Sequence, residues 1–220
     1  MDYMIYLFQG LIVIYSITIH EFAHAWTADK LWDPTPNLQG RLTINPLAHV
    51  DPLGFILLFI VWFGRGRPVI FNPQYLQNPL RDEFWIAMAW PIANICIALV
   101  SLAIVAWIRQ YAFASPATDL VGQFRNMSAI INIGMAIFNM IPLPPLDGFR
   151  IIKILTGRRY MMIEQYASYI IMWIFMLSSI PQLNIIAWFM TPAITMVYSV
   201  LSWLVSVIMV FISSLFFLIS

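Results

Sequence analysis

The chain has 220 residues, 61% of them hydrophobic and only 10% Asp, Glu, Lys or Arg. A soluble domain is nearer a quarter charged, and a mean hydropathy of +0.82 excludes such a domain. It equally excludes a disordered chain, which needs low hydrophobicity and high net charge. A net charge of +1 with no basic tract gives no sign of a nucleic-acid partner, and the one cysteine, Cys96, forbids an internal disulfide. The composition predicts an all-α polytopic membrane protein in contact mainly with the lipid bilayer.

A spanning helix needs about 20 apolar residues. The first candidate runs from Met4 to Ala28; Asp2, the lack of a basic leader and the polar chemistry near its end argue against a cleaved signal peptide. A polar, proline-bearing loop follows, Trp32 to Pro52, then a short apolar run, Leu53 to Phe63. Gly64, Arg65, Gly66, Arg67 and Pro68 break that run, and Val69, Ile70 and Phe71 are expected as a short strand before Asn72 and Pro73. Further spans are expected at Phe84–Ile108, Met127–Ile141, Met161–Ser178 and Ala193–Phe211, with Pro181 and Pro192 punctuating the last stretch. The total is about five to six transmembrane helices in one integral-membrane domain, residues 1–220, with a core over 1–160 and C-terminal helices over 161–220.

The run Leu53–Phe63 decides the topology. Eleven helical residues reach about 16 Å, roughly half the hydrocarbon thickness. The expectation is a re-entrant hairpin between the first two full spans, tolerated where protein or a water-filled cavity surrounds it. Lys30, Arg41, Arg65, Arg67, Arg81, Arg150, Lys153, Arg158 and Arg159 then share one face, and only Arg109 and Arg125 lie on the other. Nine against two makes the first face cytoplasmic and places the N-terminus outside. A spanning run would weaken the split to seven against four.

His20-Glu21-Phe22-Ala23-His24 is an HExxH pattern late in the first span. Positions i and i+4 share a helix face, so two imidazoles can grip one Zn²⁺ while Glu21 reaches the attacking water. Ionisable groups at membrane depth are costly and mark function. Asp147 is the candidate third ligand: three prolines end the helix before it, and Gly148 is expected to permit a tight turn after it. With Leu53–Phe63 re-entrant, Asp147 reaches the face of the two histidines. With that run spanning, it lands on the opposite face. Met4–Ile19 covers about 24 Å of helix, which sets His20 several Å below the cytoplasmic edge of a core about 30 Å thick.

The segments HEFAH (20–24), NPLAHVDPLG (45–54), RDEFWIAMAWPIANI (81–95) and FNMIPLPPLDG (138–148) resemble the site-2 protease family of intramembrane zinc metalloproteases. The likeness spans roughly residues 10–160 and is strongest to compact prokaryotic members without PDZ or CBS domains. It implies one Zn²⁺ held by His20, His24 and Asp147, with Glu21 as the catalytic base. It also implies a prokaryotic inner-membrane location and single-span membrane-protein substrates already trimmed by another protease. Trp90 departs from the family, which usually has glycine before Pro91.

Asn139 stands in the family's asparagine position and is a candidate donor to substrate backbone or oxyanion, or else satisfies carbonyls at its own helix end. Asn94 matches a position that contacts substrate, or else makes an interhelical hydrogen bond. His49, in the loop near the metal face, is a candidate for substrate positioning beside an ordinary hydrogen-bonding role. Val69, Ile70 and Phe71 are expected to pair with an unwound substrate by strand addition. Two rival classes are a zinc transporter and a catalytically silent membrane-protein binder. A transporter needs polar residues towards both faces, yet Met4–Ile14 offers only Gln9 and Gly10. A binder has no need of Glu21. The sequence leaves the oligomeric state open, a homo-oligomer included.

Overall fold

The computed structural model describes residues 2–51, 67–111, 115–144, 146–156, 161–178 and 180–219. Its helices are α1 (Asp2–Lys30), the short α2 (Thr35–Leu38) and α3 (Pro46–His49), α4 (Pro79–Tyr111), α5 (Pro116–Asn139), α6 (Asp147–Thr156), α7 (Met161–Ser178) and α8 (Ile185–Ile219). Three are long and apolar enough to cross a membrane: Tyr3–Lys30, Pro79–Tyr111 and Ile185–Leu215.

α1 and α4 run antiparallel, since His24 meets the carbonyl of Ile86 while His20, one turn earlier, stacks on Trp90, one turn later. α5 reverses again, with Ser101 of α4 bonded to Ser128 of α5 at 3.1 Å. Ala98 and Ala129, both fully buried, let these two helices approach closely, and Leu102, Ile133 and Val205 of α8 complete the core.

This path fixes the side on which each end lies. α5 travels in the direction of α1, so the turn after Asn139 arrives where α1 carries its histidines. The chain between α1 and α4 also returns to the end it left: Ala28, Leu76 and Ile86 form one buried cluster. Arg67 N–H donates to His49 O at 2.7 Å. The expected re-entrant run, Leu53–Phe63, lies outside the described residues, but the segments flanking it lie side by side.

Three boundaries differ from expectation. The helix read as Met127–Ile141 begins at Pro116, because Ser115 and Thr118 form a reciprocal capping box with proline at the first helical position. Pro192 does not start the last helix; α8 runs through it from Ile185, as membrane helices permit when neighbours compensate. Val69–Phe71 forms no strand: no ladder partner faces it among the described residues. Three residues cannot make a sheet alone.

Candidate metal centre

The HExxH segment is helical, so His20 and His24 project from one face of α1. Asp147 reaches them from α6. Its Oδ2 lies 3.3 Å from His24 Nε2 and 3.7 Å from His20 Nε2. The three donor atoms lie within 4.8 Å of one another, and among the described residues they are the one such group.

The donor chemistry fits a cation. The Nδ1–H of His24 donates to Ile86 O at 2.8 Å, which leaves Nε2 as a lone pair facing a carboxylate oxygen. Two acceptors 3.3 Å apart need a positive charge between them. Tetrahedral ligands at about 2.0–2.1 Å from zinc stand about 3.3 Å apart, close to the separations observed. Pro91 inside α4 cannot donate to the carbonyl of Ala87, four residues back. The carbonyl of Ile86, one turn before Trp90 on α4, orients His24.

Gly148 acts differently from the expected turn glycine. It is helical, and a Cβ there would collide with the carbonyl of Met140. Its role is to let α6 start hard against the end of α5, which carries Asp147 to the histidines.

Four contributors escaped sequence reasoning. Trp90 is fully buried. Its ring stacks on His20 with centroids 4.2 Å apart, and its Nε1–H donates to Asp147 Oδ2. Arg150 sets its Nε 3.7 Å from Asp147 Oδ1 and its guanidinium 5.0 Å over the Phe71 ring. The carbonyl of Ile86 holds His24. The fourth is the N–H of Val69, which donates to Glu21 Oε2 at 2.9 Å, while Oε1 lies 3.8 Å from His20 Nε2. The signal for Trp90 was its position beside Pro91; only the α1–α4 register could give it a role.

The weaker candidates separate. His49 is fully buried and its Nε2–H donates to Thr43 O at 2.6 Å; burial holds its imidazole below the ordinary range. It braces the loop and does not join the metal group. Asn139 donates to Met135 O in its own helix, at 3.3 Å. Asn94 is fully buried with neither amide atom paired, and the α1–α4 register sets it opposite Ser16, also buried and unpaired. Ile70 is 62% exposed between buried Val69 and half-buried Phe71.

Residues 108–180 match the family described as Peptidase family M50. A Bacillus subtilis (strain 168) protein named "Putative zinc metalloprotease YwhC" is 38% identical over 152 residues, covering 68% of each chain. Proteins named "Putative zinc metalloprotease Rip2" are also similar. That of Mycolicibacterium smegmatis is 31% identical over 140 residues, 61% of this chain and 51% of its own. That of Mycobacterium tuberculosis is 27% identical over 139 residues, with the same coverage. The match thus spans about half the length of the mycobacterial relatives. No solved structure matches.

Proposed function

The chain belongs to peptidase family M50, the site-2 protease family, and from that premise we propose how this intramembrane zinc metalloprotease is built and what it cuts. His20, His24 and Asp147 hold one Zn²⁺, Glu21 is the general base, and the scissile bonds lie within or beside transmembrane segments of single-span proteins. The observation that carries the assignment is the meeting of Asp147 with both imidazoles, the nearer of them 123 residues away in sequence.

Zinc, when bound, supplies Lewis acidity and brings the pKa of a water towards about 7. Glu21 takes a proton from the attacking water and returns it to the leaving amine. Val69 N–H fixes one carboxylate oxygen of Glu21 and leaves the other towards the metal donors. Trp90 and Arg150 hold the Asp147 carboxylate. Asn94, buried and unpaired, is a stronger substrate-contact candidate than Asn139, which would first have to release Met135.

A helical substrate hides its carbonyls in its own hydrogen bonds and must unwind. Ile70, exposed between residues tied to the enzyme, is the point at which we place the unwound backbone, by addition to the run Val69–Phe71. α5 and α7 are proposed as further spans, with the chain over 53–63 re-entrant. The nine-to-two charge split supports an N-terminus outside a prokaryotic inner membrane and a site near the cytoplasmic face. The outer half of α1, where Met4–Ile14 offers only Gln9 and Gly10, gives no support to transport.

Purified protein incubated with a panel of single-span peptides tests the reading by mass spectrometry of the products. Cleavage that is abolished by chelation and by Glu21→Ala is expected. Cleavage indifferent to both would exclude it.

A further inference from the structure

Past His24, α1 runs on to Lys30 and closes on itself: the N–H of Asp33 donates to Ala28 O at 3.0 Å. This closure requires Trp32 to adopt φ +76°, a left-handed conformation that is unusual for a bulky side chain. Trp32 itself is 71% exposed, so its own packing does not account for the conformation. The turn's product is the residue after it. Asp33 is swept under the helix end and fully buried.

The Asp33 carboxylate is satisfied by neutral donors. Oδ1 accepts from Thr35 N at 2.9 Å and Thr35 Oγ1 at 2.5 Å. Oδ2 accepts from Asn72 N at 2.6 Å, and among the described residues no cation pairs with it. The Asn72 contact ties the end of α1 to the run that passes the metal centre. That run is held at three points: Arg67 N to His49 O, Val69 N to Glu21 Oε2, and Asn72 N to Asp33 Oδ2. Asn72 in turn caps the next turn through Gln74 N. One buried carboxylate thus clips the far end of the run whose middle holds the other.

We propose that Asp33 is a positioning residue of the peptidase site: by holding Asn72 N–H it fixes the run from Arg67 to Asn72, so that Val69 N–H orients the Glu21 carboxylate. The proposal rests on the peptidase reading above. A general base works only when held in place, and a displacement of 1 Å costs about 100-fold in rate. Asp33 touches neither substrate nor metal; it acts through the backbone of residues 69–72.

The test is a double-mutant cycle on the full chain in lipid, with kcat, KM and zinc content measured on a cleaved single-span peptide. One change is Asp33→Ala. The other replaces Val69 by its α-hydroxy acid, which turns the N–H into an ester oxygen. Each alone is expected to lower kcat about 10- to 100-fold at unchanged zinc content, and the two together to cost little more than either. Hydrogen exchange at Asn72 and Val69 should quicken in Asp33→Ala. Losses that multiply, or an ester variant with wild-type kcat, would overturn the proposal; should Asp33→Ala not fold, an ester at Asn72, which removes the N–H that Asp33 Oδ2 accepts, takes its place in the cycle, and wild-type kcat in that variant would overturn the proposal as well. Wild-type protein that cleaves none of the panel would overturn the peptidase reading and this proposal with it. Wild-type cleavage with multiplying losses overturns this proposal only.

Discussion

At His20, His24 and Asp147 the chemistry was legible because it is written in short motifs: i, i+4 imidazoles on one helix, and an aspartate after a proline run. What surrounds them was not. Trp90 reads in sequence only as a departure from a family pattern, and its contacts depend on the α1–α4 register. Trp90→Phe keeps a ring against His20 but removes the N–H that meets Asp147 Oδ2. Loss of such an outer partner should weaken zinc binding about 10-fold or more, read by titration against a competing chelator; unchanged affinity would make the tryptophan mere packing. Gly148 was legible as a necessary glycine for the wrong reason, since close approach of two backbones leaves no trace in local sequence. Gly148→Ala should strip zinc and activity together. Gly122→Ala, where a Cβ meets nothing within 4 Å, should leave zinc content unchanged and stabilise the helix by up to about 1 kcal/mol. Equal metal content in the two variants would contradict this reading of the Gly148 contact.

Elements were legible by apolarity and misread where polarity or proline intervened. The first turns of α5 carry Asp119, Gln123, Arg125 and Asn126, so hydropathy started this helix late although Ser115 and Pro116 mark its true beginning. Pro192 was given breaking power that a long apolar helix overrides. The expected strand at Val69–Phe71 was a β-prone run without a partner; in the fold Val69 N–H is spent on Glu21 instead, and the flanking Arg67 and Asn72 N–H groups on His49 and Asp33. Its remaining free face is Ile70. Ile70→Pro removes the N–H available to an incoming strand and should cut cleavage at least 10-fold while zinc content holds. Unaltered turnover in that variant would remove substrate pairing from the account.

Over the whole molecule, the proposed topology rests on three constraints that must agree: a run read as too short to span, a lopsided charge distribution and one metal shared by distant residues. The described residues meet the third, with Asp147 beside the imidazoles; the run of the first lies outside them. The proposed orientation rests on the second and is separately testable. With Cys96 replaced by alanine, cysteines introduced at Arg109 and at Lys153 should label from opposite sides of the membrane with an impermeant thiol reagent. The site at 109 should react from outside in intact cells, and the site at 153 only after permeabilisation. Labelling of both from one side would invert or dismantle the arrangement.

The most direct test is anomalous diffraction at the zinc edge from zinc-loaded crystals. One peak is predicted, about 2.0–2.2 Å from the nearest donor atoms of His20, His24 and Asp147. No peak among these residues, or a peak enclosed by other side chains, would contradict the account.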